Sequence, residues 1–480
     1  MLIKKASLYF LTSILYLQLY GQCPTELIIT SQDQLSSFRS NYPNCTELGL
    51  LTIQGNEIKD LSALNLITKV GRLDVFETEK LVDLAGLKNL KTIENDFYIA
   101  GNKRLQNFTG LDKLERVGGA IYASYNDSIK NFLGLNKLSY SGLTLYENPK
   151  LVSLIGLENL KIINGLILDK NPSLIDLQGL QSVDLCVERI FIRNCQKLQT
   201  LNGLNNLQRI ESDLTIENNN ELLNVDPLSS LTRIVSGYLT VKDNLKLLDL
   251  KGLRNLGSSI RTVTIHGNES LVSLELGKFG NTEGFRITDN KNLQDLGELD
   301  CASFTMGISI LGNSNLREVN AFQNATTFGG SVYVANNANL EQINGLKRLK
   351  EVNDLIVNDN PVLKSLDAFD SVEHVRGSLG ISNNAALQEV SELSNLLKIN
   401  FLSVTNNASL INLKGLSKVG GSTNNILIEG NSALTEIGSL DSVVSMASLT
   451  IKNNKELMQL NGLRSLRSCV QIEINSNKAF

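Results

Sequence analysis

The stretch NKRLQNFTGLDKLERVGGAIYASYN, residues 102–126, contains one full unit of a repeat that runs through most of the chain. Its pattern is N-x-x-L-x-x-L-x-G-L-x-x-L-x-x-I-x-G-x-L-x-I-x-x-N, and the closing position recurs at spacings of 22–25 residues. A fixed period of this length is the signature of a solenoid, because one unit can bury its apolar face only against its neighbours. We therefore predict one repeat array rather than several globular domains.

The residue that closes each unit is asparagine at all but two of 19 positions, the exceptions being Thr78 and Cys195. The amide of asparagine both donates and accepts hydrogen bonds, so a column of them can satisfy backbone groups where each coil turns inward. We predict a structural closing ladder of Asn56, Asn102, Asn126, Asn148, Asn171, Asn219, Asn244, Asn268, Asn290, Asn313, Asn337, Asn360, Asn384, Asn407, Asn431, Asn454 and Asn477.

The segment before each closing residue predicts a short strand. Leu214-Thr-Ile216 and Leu239-Thr-Val241 alternate apolar and polar residues, as a strand with one buried face does. Stacked coils place these strands side by side in a parallel sheet. The Leu-x-x-Leu-x-x-Ile run of each unit fits either a short helical turn or an irregular strand. The expected fold is mainly β, a solenoid of about 19 coils.

The first 22 residues have the charge and polarity order of a secretory signal. Lys4 and Lys5 precede an apolar stretch from residue 6 to 19, and we expect cleavage after Gly21 or Gln22. No other segment has the ~20 apolar residues that a membrane helix needs. The predicted location is therefore secreted, extracellular or at the cell surface, without an integral membrane segment.

Export to an oxidising compartment makes disulfides feasible for the six cysteines. Cys23 and Cys45 bracket the segment ahead of the repeats, and a bond between them would close the start of the fold. Pairing of Cys186 with Cys195 is left open as an alternative to free thiols. Cys301 and Cys469 fit better as small buried apolar residues.

The start of the expected mature chain resembles the receptor L-domain family. The resemblance rests on Cys23, on the segment LSSF ending at Phe38, on NYPNCT at 41–46 and on LLTI at 50–53. It implies a right-handed leucine-rich solenoid with an N-terminal capping helix. The predicted domains are 1–22 (signal), 23–50 (cap) and 51–480 (solenoid). The repeats are most similar to secreted surface proteins of Bacteroidetes-type bacteria. Receptors of this family bind protein ligands through such domains.

Composition and motifs argue against several functions. Lys and Arg number 45 against 49 Asp and Glu, a net charge of −4, which lacks the basic excess that nucleic acid requires. The chain has two histidines and no metal-ligand spacing or catalytic motif, so we expect no metal, no cofactor and no enzyme activity. Asp169 beside Glu147 is the best acid pair for polysaccharide hydrolysis. His266 is expected on an outward strand face and His374 between strands, both as surface histidines.

The outward positions of the strands form the one systematic surface. In neighbouring coils they carry Phe76, Tyr98, Tyr122, Tyr125 and Tyr146, in a chain that is only 5% aromatic. We predict a contact patch for an extracellular protein or glycan, although Tyr also simply suits exposed strand positions. The predicted function is a secreted or cell-surface, non-enzymatic binding protein. A structural or adhesive surface protein without a discrete site is the alternative, and a polysaccharide-active solenoid enzyme is a distant one.

Overall fold

The computed structural model describes residues 23–257, 260–327, 330–438 and 440–477, so the predicted signal at 1–22 lies outside the described residues. The chain divides into two compact units, the first ending at Leu222 and the second starting at Leu223. Both are parallel β-solenoids, and the repeat gives the two units about 19 turns in total. The predicted fold class is confirmed. Among the described residues, no helix is long and apolar enough to cross a membrane.

The described residues of the first unit, 23–222, contain one α-helix, α1 (Gln32–Asn41), and short 3₁₀ turns at Ser62–Leu64 and Ala85–Leu87. Its strands are β1 (Glu26–Ile29), β2 (Glu47–Gln54), β3 (Lys69–Phe76), β4 (Thr92–Ile93), β5 (Phe97–Ala100), β6 (Arg116–Ser124), β7 (Tyr140–Tyr146), β8 (Ile162–Asp169), β9 (Leu185–Cys186), β10 (Ile190–Arg193), β11 (Arg209–Ile210) and β12 (Leu214–Glu217).

The second unit has 3₁₀ turns at Asp226–Leu228, Lys251–Leu253, Asp367–Phe369, Ser391–Asn395 and Lys414–Leu416. Its strands are β13 (Arg233–Ile234), β14 (Leu239–Lys242), β15 (Thr262–His266), β16 (Lys278–Thr288), β17 (Asp300–Leu311), β18 (Glu318–Val319), β19 (Thr326–Thr327), β20 (Ser331–Ala335), β21 (Gln342–Ile343), β22 (Glu351–Val352), β23 (Leu355–Asn358), β24 (His374–Ser382), β25 (Lys398–Thr405), β26 (Gly420–Ser422), β27 (Asn425–Glu429), β28 (Ser442–Lys452) and β29 (Ser468–Asn475).

The cap closes the N-terminal end of the first unit. Helix α1 starts after Ser31, whose hydroxyl accepts a hydrogen bond from the Gln34 N–H at 3.3 Å, and it buries Leu35 and Phe38. The predicted Cys23–Cys45 disulfide is present. The predicted domain boundary at residue 50 falls inside β2, which already pairs in parallel with β3. Cap and first coil therefore share one strand.

The leucines of the repeat form the core of each unit, where nearly all of them are fully buried. The repeated glycine allows neighbouring coils to approach closely. At Gly110, φ is +105° and a Cβ would lie 2.3 Å from the Ala85 nitrogen; at Gly252, a Cβ would lie 2.0 Å from the Val225 carbonyl oxygen. Any side chain at these positions would push the coils apart. In several coils a 3₁₀ turn spans the glycine and the first leucine of the run, as at Ala85–Leu87, and the last residue of the run can lie in a short strand, as Ile93 does. The run therefore combines the two predicted alternatives.

The closing asparagines form a buried hydrogen-bonded row in each unit. Asn268 shows the pattern: its backbone N–H and its side-chain amide donate to the Asn290 Oδ1 at 3.0 and 3.2 Å, and the same amide donates to the Val241 carbonyl at 3.0 Å. Each side chain thus bonds to the coil before it and the coil after it. At Thr78, the hydroxyl donates to the Asn102 Oδ1 instead.

The residue before each closing position adopts a left-handed backbone conformation, which turns the chain inward. Examples are Tyr125 (φ +54°), Lys170 (φ +56°) and Asp289 (φ +57°). Such angles are uncommon outside glycine and asparagine, so the ladder holds the turns at Tyr125, Lys170 and Asp289 in a strained conformation.

The prediction that Asn56 belongs to the closing ladder is wrong. It is exposed, and Gly55 before it has φ +148° in place of the left-handed angle near +55° found at the other turns. The chain at this point turns next to the cap, where the Ile58 N–H donates to the Gly55 carbonyl at 3.3 Å. The row of closing residues therefore starts at Thr78.

The remaining cysteines are free, so the Cys186–Cys195 alternative is wrong. Cys195 takes a closing position, and its thiol donates to the Arg193 carbonyl at 3.4 Å, whereas Cys186 lies in the separate short strand β9. Cys301 is buried as predicted, but Cys469 is only half-buried; it lies in β29, which pairs with β28 alone within the described residues.

Loss of a ladder amide should strongly destabilise the second unit. We expect Asn290→Ala to lower the free energy of unfolding by about 3 kcal/mol, because it leaves the buried Asn268 N–H without its acceptor and removes the amide that donates to the Ile265 carbonyl. Urea denaturation followed by circular dichroism measures this change. Asn292→Ala, which removes an exposed amide from the same coil, should change stability by less than about 0.5 kcal/mol.

The first unit offers the reverse experiment. Cys195→Asn should raise stability by about 1 kcal/mol, because the new amide can donate to the Leu168 carbonyl as its counterparts do in other coils. A drop in the denaturation midpoint of Cys195→Asn would contradict the assigned role of the ladder.

The thiols provide a test of burial. Burial raises the pKa of Cys186, Cys195 and Cys301 to about 12, so all three are protonated at pH 8. Because the thiolate is the reactive form, native protein treated with iodoacetamide at pH 8 should be modified at Cys469 alone. Mass spectrometry should then show four modified thiols after denaturation without reductant. Rapid native labelling of Cys195 would contradict the buried ladder position.

Candidate binding face

The parallel register of the first unit places its outward side chains in rows that cross the strands. One row, the central row, consists of Asp74, Tyr98, Tyr122, Thr144, Ile167 and Phe191. A second row consists of Phe76, Ala100, Ser124, Tyr146, Asp169 and Arg193. Neighbours in a row are one strand apart, about 4.8 Å, which is close enough for rings to stack.

Two tyrosines of the central row stack on one another. The ring centroids of Tyr98 and Tyr122 are 4.5 Å apart and the rings are nearly parallel, at 7°. The Arg72 guanidinium lies 4.3 Å from the Tyr98 ring centroid and is held by the buried Asp74 carboxylate at 2.8 Å. Arg72, Tyr98 and Tyr122 thus form a continuous stack across three strands.

A second pair of tyrosines lies beside the first. The Tyr125 and Tyr146 rings meet edge to face, with centroids 5.3 Å apart. Lys170 donates to the Tyr146 hydroxyl at 2.8 Å and to the Glu147 carboxylate at 2.9 Å. Tyr125 is 54% exposed, because its left-handed backbone directs the ring away from the sheet. We call Tyr98, Tyr122, Tyr125 and Tyr146 the tyrosine face.

Phe76, the fifth predicted contact residue, stands apart from these pairs. Its row neighbours are Gln54 and Ala100, neither of which is aromatic. The structure therefore brings four of the five predicted residues together, and Phe76 extends the surface by one strand without joining a ring pair.

Three phenols of the tyrosine face, those of Tyr98, Tyr122 and Tyr125, stay neutral at physiological pH. Burial raises the pKa of Tyr98 and Tyr122, and the nearby Asp96 carboxylate adds to both shifts. Partial desolvation and its contact with Tyr146 raise the pKa of Tyr125 as well. Hydrogen bonding to Lys170 lowers the pKa of Glu147, so that carboxylate is ionised. The tyrosine face therefore presents aromatic rings and hydroxyl groups next to charged side chains.

Apart from Arg193, which lies next to Phe191 in the pattern, the cations of this surface were not predicted from the sequence. Arg116 lies 4.1 Å from the centroid of the Tyr140 ring at the start of β7, and Arg189 and Arg193 lie 5.5 and 5.6 Å from that of Phe191. A signal was present, since Arg116 and Tyr140 are one repeat apart, as are Tyr146 and Lys170. A search for Arg or Lys one repeat from each outward ring would have identified the Arg116–Tyr140 and Lys170–Tyr146 pairs.

The carboxylates proposed as an acid pair have separate partners. Asp169 is bound by Arg193 at 3.0 Å and by the Asn194 amide at 2.7 Å, whereas Glu147 is bound by Lys170. A general acid needs a raised pKa, and the pKa of Glu147 is lowered. This arrangement gives no support to glycoside hydrolysis at the pair.

The two histidines are half-buried. His266 lies on the outward face as predicted, with its Nδ1 2.7 Å from the Thr288 hydroxyl and 3.4 Å from the Asp289 carboxylate. His374 is the first residue of β24, so its prediction as a residue between strands is wrong. It pairs in register with Glu351 and Lys398.

His374 also lines a groove in the second unit that the repeat pattern did not reveal. The groove has a volume of about 400 Å³, and Arg376, Lys398 and Asn400 contribute to its walls. Arg376 is paired with Glu351. Within the described ranges, no group of three or more Asp, Glu, His or Cys side chains could hold a metal ion.

Comparisons with known proteins leave the family open. No family model and no curated protein matches the chain. A structure of the TLR13–ssRNA13 complex is 13% identical, with 92% of this chain and 82% of that chain covered and a TM-score of 0.22. A leucine-rich repeat protein from Bacteroides ovatus is also 13% identical, with 81% and 87% covered and a TM-score of 0.21. TM-scores this low do not support any inference about function.

Proposed function

We propose that the chain is a secreted or cell-surface binding protein, without enzymatic activity, that recognises an extracellular protein or glycan through the tyrosine face. The observation that carries the proposal is the pair of tyrosine contacts on neighbouring strands, Tyr98 on Tyr122 and Tyr125 on Tyr146. Tyrosines are enriched at the energetic centres of interfaces because each ring buries a large apolar area and keeps one polar group.

The sheet supports this role because it fixes the rings before a ligand arrives. Tyr98 has Arg72 on one ring face and Tyr122 on the other, and Tyr146 is held by Lys170. Side chains that are already ordered lose less conformational entropy on binding, so more of the contact energy appears as affinity. A merely solvated strand face would not require such contacts.

The Cys23–Cys45 disulfide supports an extracellular location, since such bonds persist mainly in oxidising compartments. The resemblance of residues 23–53 to receptor L-domains, and that of the repeats to bacterial surface proteins, agree with this location. The proposed partner is protein or glycan rather than nucleic acid, because the face pairs its cations with Asp74 and Glu147 instead of presenting them to phosphates.

A triple substitution tests the function. The chain with Tyr98→Ala, Tyr122→Ala and Tyr146→Ala should lose at least about tenfold in affinity for ligands that the unchanged chain binds on a glycan array and a panel of purified extracellular proteins. Bio-layer interferometry on the selected ligands measures the loss. Circular dichroism and thermal denaturation of the variant establish that it is folded.

The second unit supplies a matched control. Tyr238, Tyr333 and Phe401 are exposed outward rings of the second unit, and their joint replacement by alanine should leave binding unchanged. Equal losses in both triple variants would exclude a discrete site and favour a structural or adhesive role for the surface as a whole. Hydrolysis of any arrayed glycan, abolished by Asp169→Asn, would instead support the enzyme alternative.

A further inference from the structure

Arg72, Tyr98 and Tyr122 form a stack, and no ring or cation of the described residues covers the outer face of the Tyr122 ring. Strands β3 and β6 flank β5, so Arg72 and Tyr122 cover opposite faces of the Tyr98 ring. The row continues beyond Tyr122 with Thr144 and Ile167 and reaches another ring only at Phe191. The second face of Tyr122 therefore opens onto a space above two side chains that are not aromatic.

Small residues widen this space on one side. Ala120 pairs with Gly142 on the adjacent strand, and Gly165 lies beside Leu166 one strand further on. A Cβ on Gly142 would lie only 2.9 Å from the Ala120 Cβ, so a larger residue would not fit there. Together these residues form a shallow floor next to the Tyr122 ring, which we call the notch.

Two carboxylates border the notch. Asp96 accepts hydrogen bonds from the Ala120 N–H at 3.0 Å and from the Tyr98 hydroxyl at 3.4 Å. Glu188 lies over the other end, with its Oε2 3.5 Å from the position that a Cβ on Gly165 would occupy. Glu188 is exposed, and its carboxylate forms no ion pair with any residue in the described part of the chain.

The electrostatics around Tyr122 agree with this geometry. After burial, the largest contributions to the raised pKa of its phenol come from Asp96 and then from Glu188. Of the cations along these rows, Arg72 is bound to Asp74 and Arg189 lies over the Phe191 ring, so neither is paired with Glu188. The notch therefore has negative potential next to an open aromatic face.

The other rings in these rows show what such an environment binds. Arg72 lies over Tyr98, Lys170 over Tyr146, and two arginines lie over Phe191. Within the described residues, Tyr122 has no cation of its own chain over its ring. We propose that the notch binds the guanidinium of an arginine side chain from a partner protein, which stacks on Tyr122 and pairs with Glu188.

Arginine suits the notch better than lysine or a neutral sugar. A planar guanidinium can stack on a ring and donate two parallel hydrogen bonds to one carboxylate. The occupant would extend the stack at the end opposite to Arg72. This inference rests on the proposed function and narrows it to a protein partner with an exposed arginine.

The test uses three peptides on the full chain. A fluorescein-labelled peptide of four Arg-Gly repeats is compared with the same peptide carrying lysine or citrulline, the neutral isostere of arginine. Fluorescence polarisation at low ionic strength should show binding in the order Arg, Lys, citrulline, with the citrulline peptide at least about tenfold weaker. Equal binding of the arginine and citrulline peptides, or no binding of the arginine peptide, would overturn the proposal.

Variants locate the binding site. Glu188→Gln and Tyr122→Leu should each lower the affinity for the arginine peptide about tenfold. Tyr122→Phe should keep the affinity because the aromatic ring is retained. Glu298→Gln removes the same charge from an exposed position in the second unit and should have no effect. Unchanged binding by a folded Glu188→Gln variant would refute the notch as the site.

The two proposals can fail separately. In one outcome, the triple alanine variant loses its extracellular ligands while Glu188→Gln leaves binding of the arginine peptide unchanged. That result would support the tyrosine face as a binding site and overturn the arginine proposal. If the ligands selected by the face are neutral glycans whose binding survives Glu188→Gln, the arginine proposal is again overturned. Loss of a protein ligand in Glu188→Gln, with Glu298→Gln unaffected, supports both.

Discussion

The buried asparagine amide is the interaction on which the repeat depends. Each coil must turn inward through a left-handed residue, and that turn leaves backbone groups without partners inside an apolar core. An amide at the next position solves this problem because it accepts from one coil and donates to another, as Asn290 does with Asn268 and Ile265. Since the bonds join neighbouring coils, the spacing between coils cannot drift independently of the ladder. Substitutions for asparagine are confined to Thr78 and Cys195, small residues that form part of the same bonding pattern.

A fixed ladder also fixes the outer surface. Each closing residue sets the register of the strand before it, so outward side chains of successive coils lie opposite one another at the strand spacing of about 4.8 Å. That distance matches the separation at which two rings stack, which is why Tyr98 and Tyr122 meet with parallel planes. The tyrosine face is thus a consequence of the core, although no ladder residue reaches it. Rings on loops would have no comparable constraint on their separation.

The sequence alone was sufficient for the repeat, the parallel strands and the outward position of the tyrosines, since these follow from leucine and asparagine periodicity. It was insufficient where the structure departs from the period. Asn56 fits the pattern, yet Gly55 and the adjacent cap redirect the turn. His374 became part of a strand because β24 extends further towards its N-terminus than the three-residue strand motif suggests. The positions of the cations over the rings depend on side-chain conformations, which periodicity does not specify. The division of the chain into two units at Leu222 has no counterpart in the repeat pattern.

The charges on the tyrosine face argue for recognition over chemistry. Arg72 is matched with Asp74, Lys170 with Glu147 and Arg193 with Asp169, so most ionised groups there already have partners. Catalysis by carboxylates requires one group whose proton affinity is raised, whereas pairing with a cation lowers it. The same pairing benefits a binding surface, because it holds rings and charges in place before contact with a partner. Glu188 departs from this arrangement. A carboxylate left unpaired beside an unshielded ring would be a poor catalyst without a second acid or base, but it gives the surface a preference for one sign of charge.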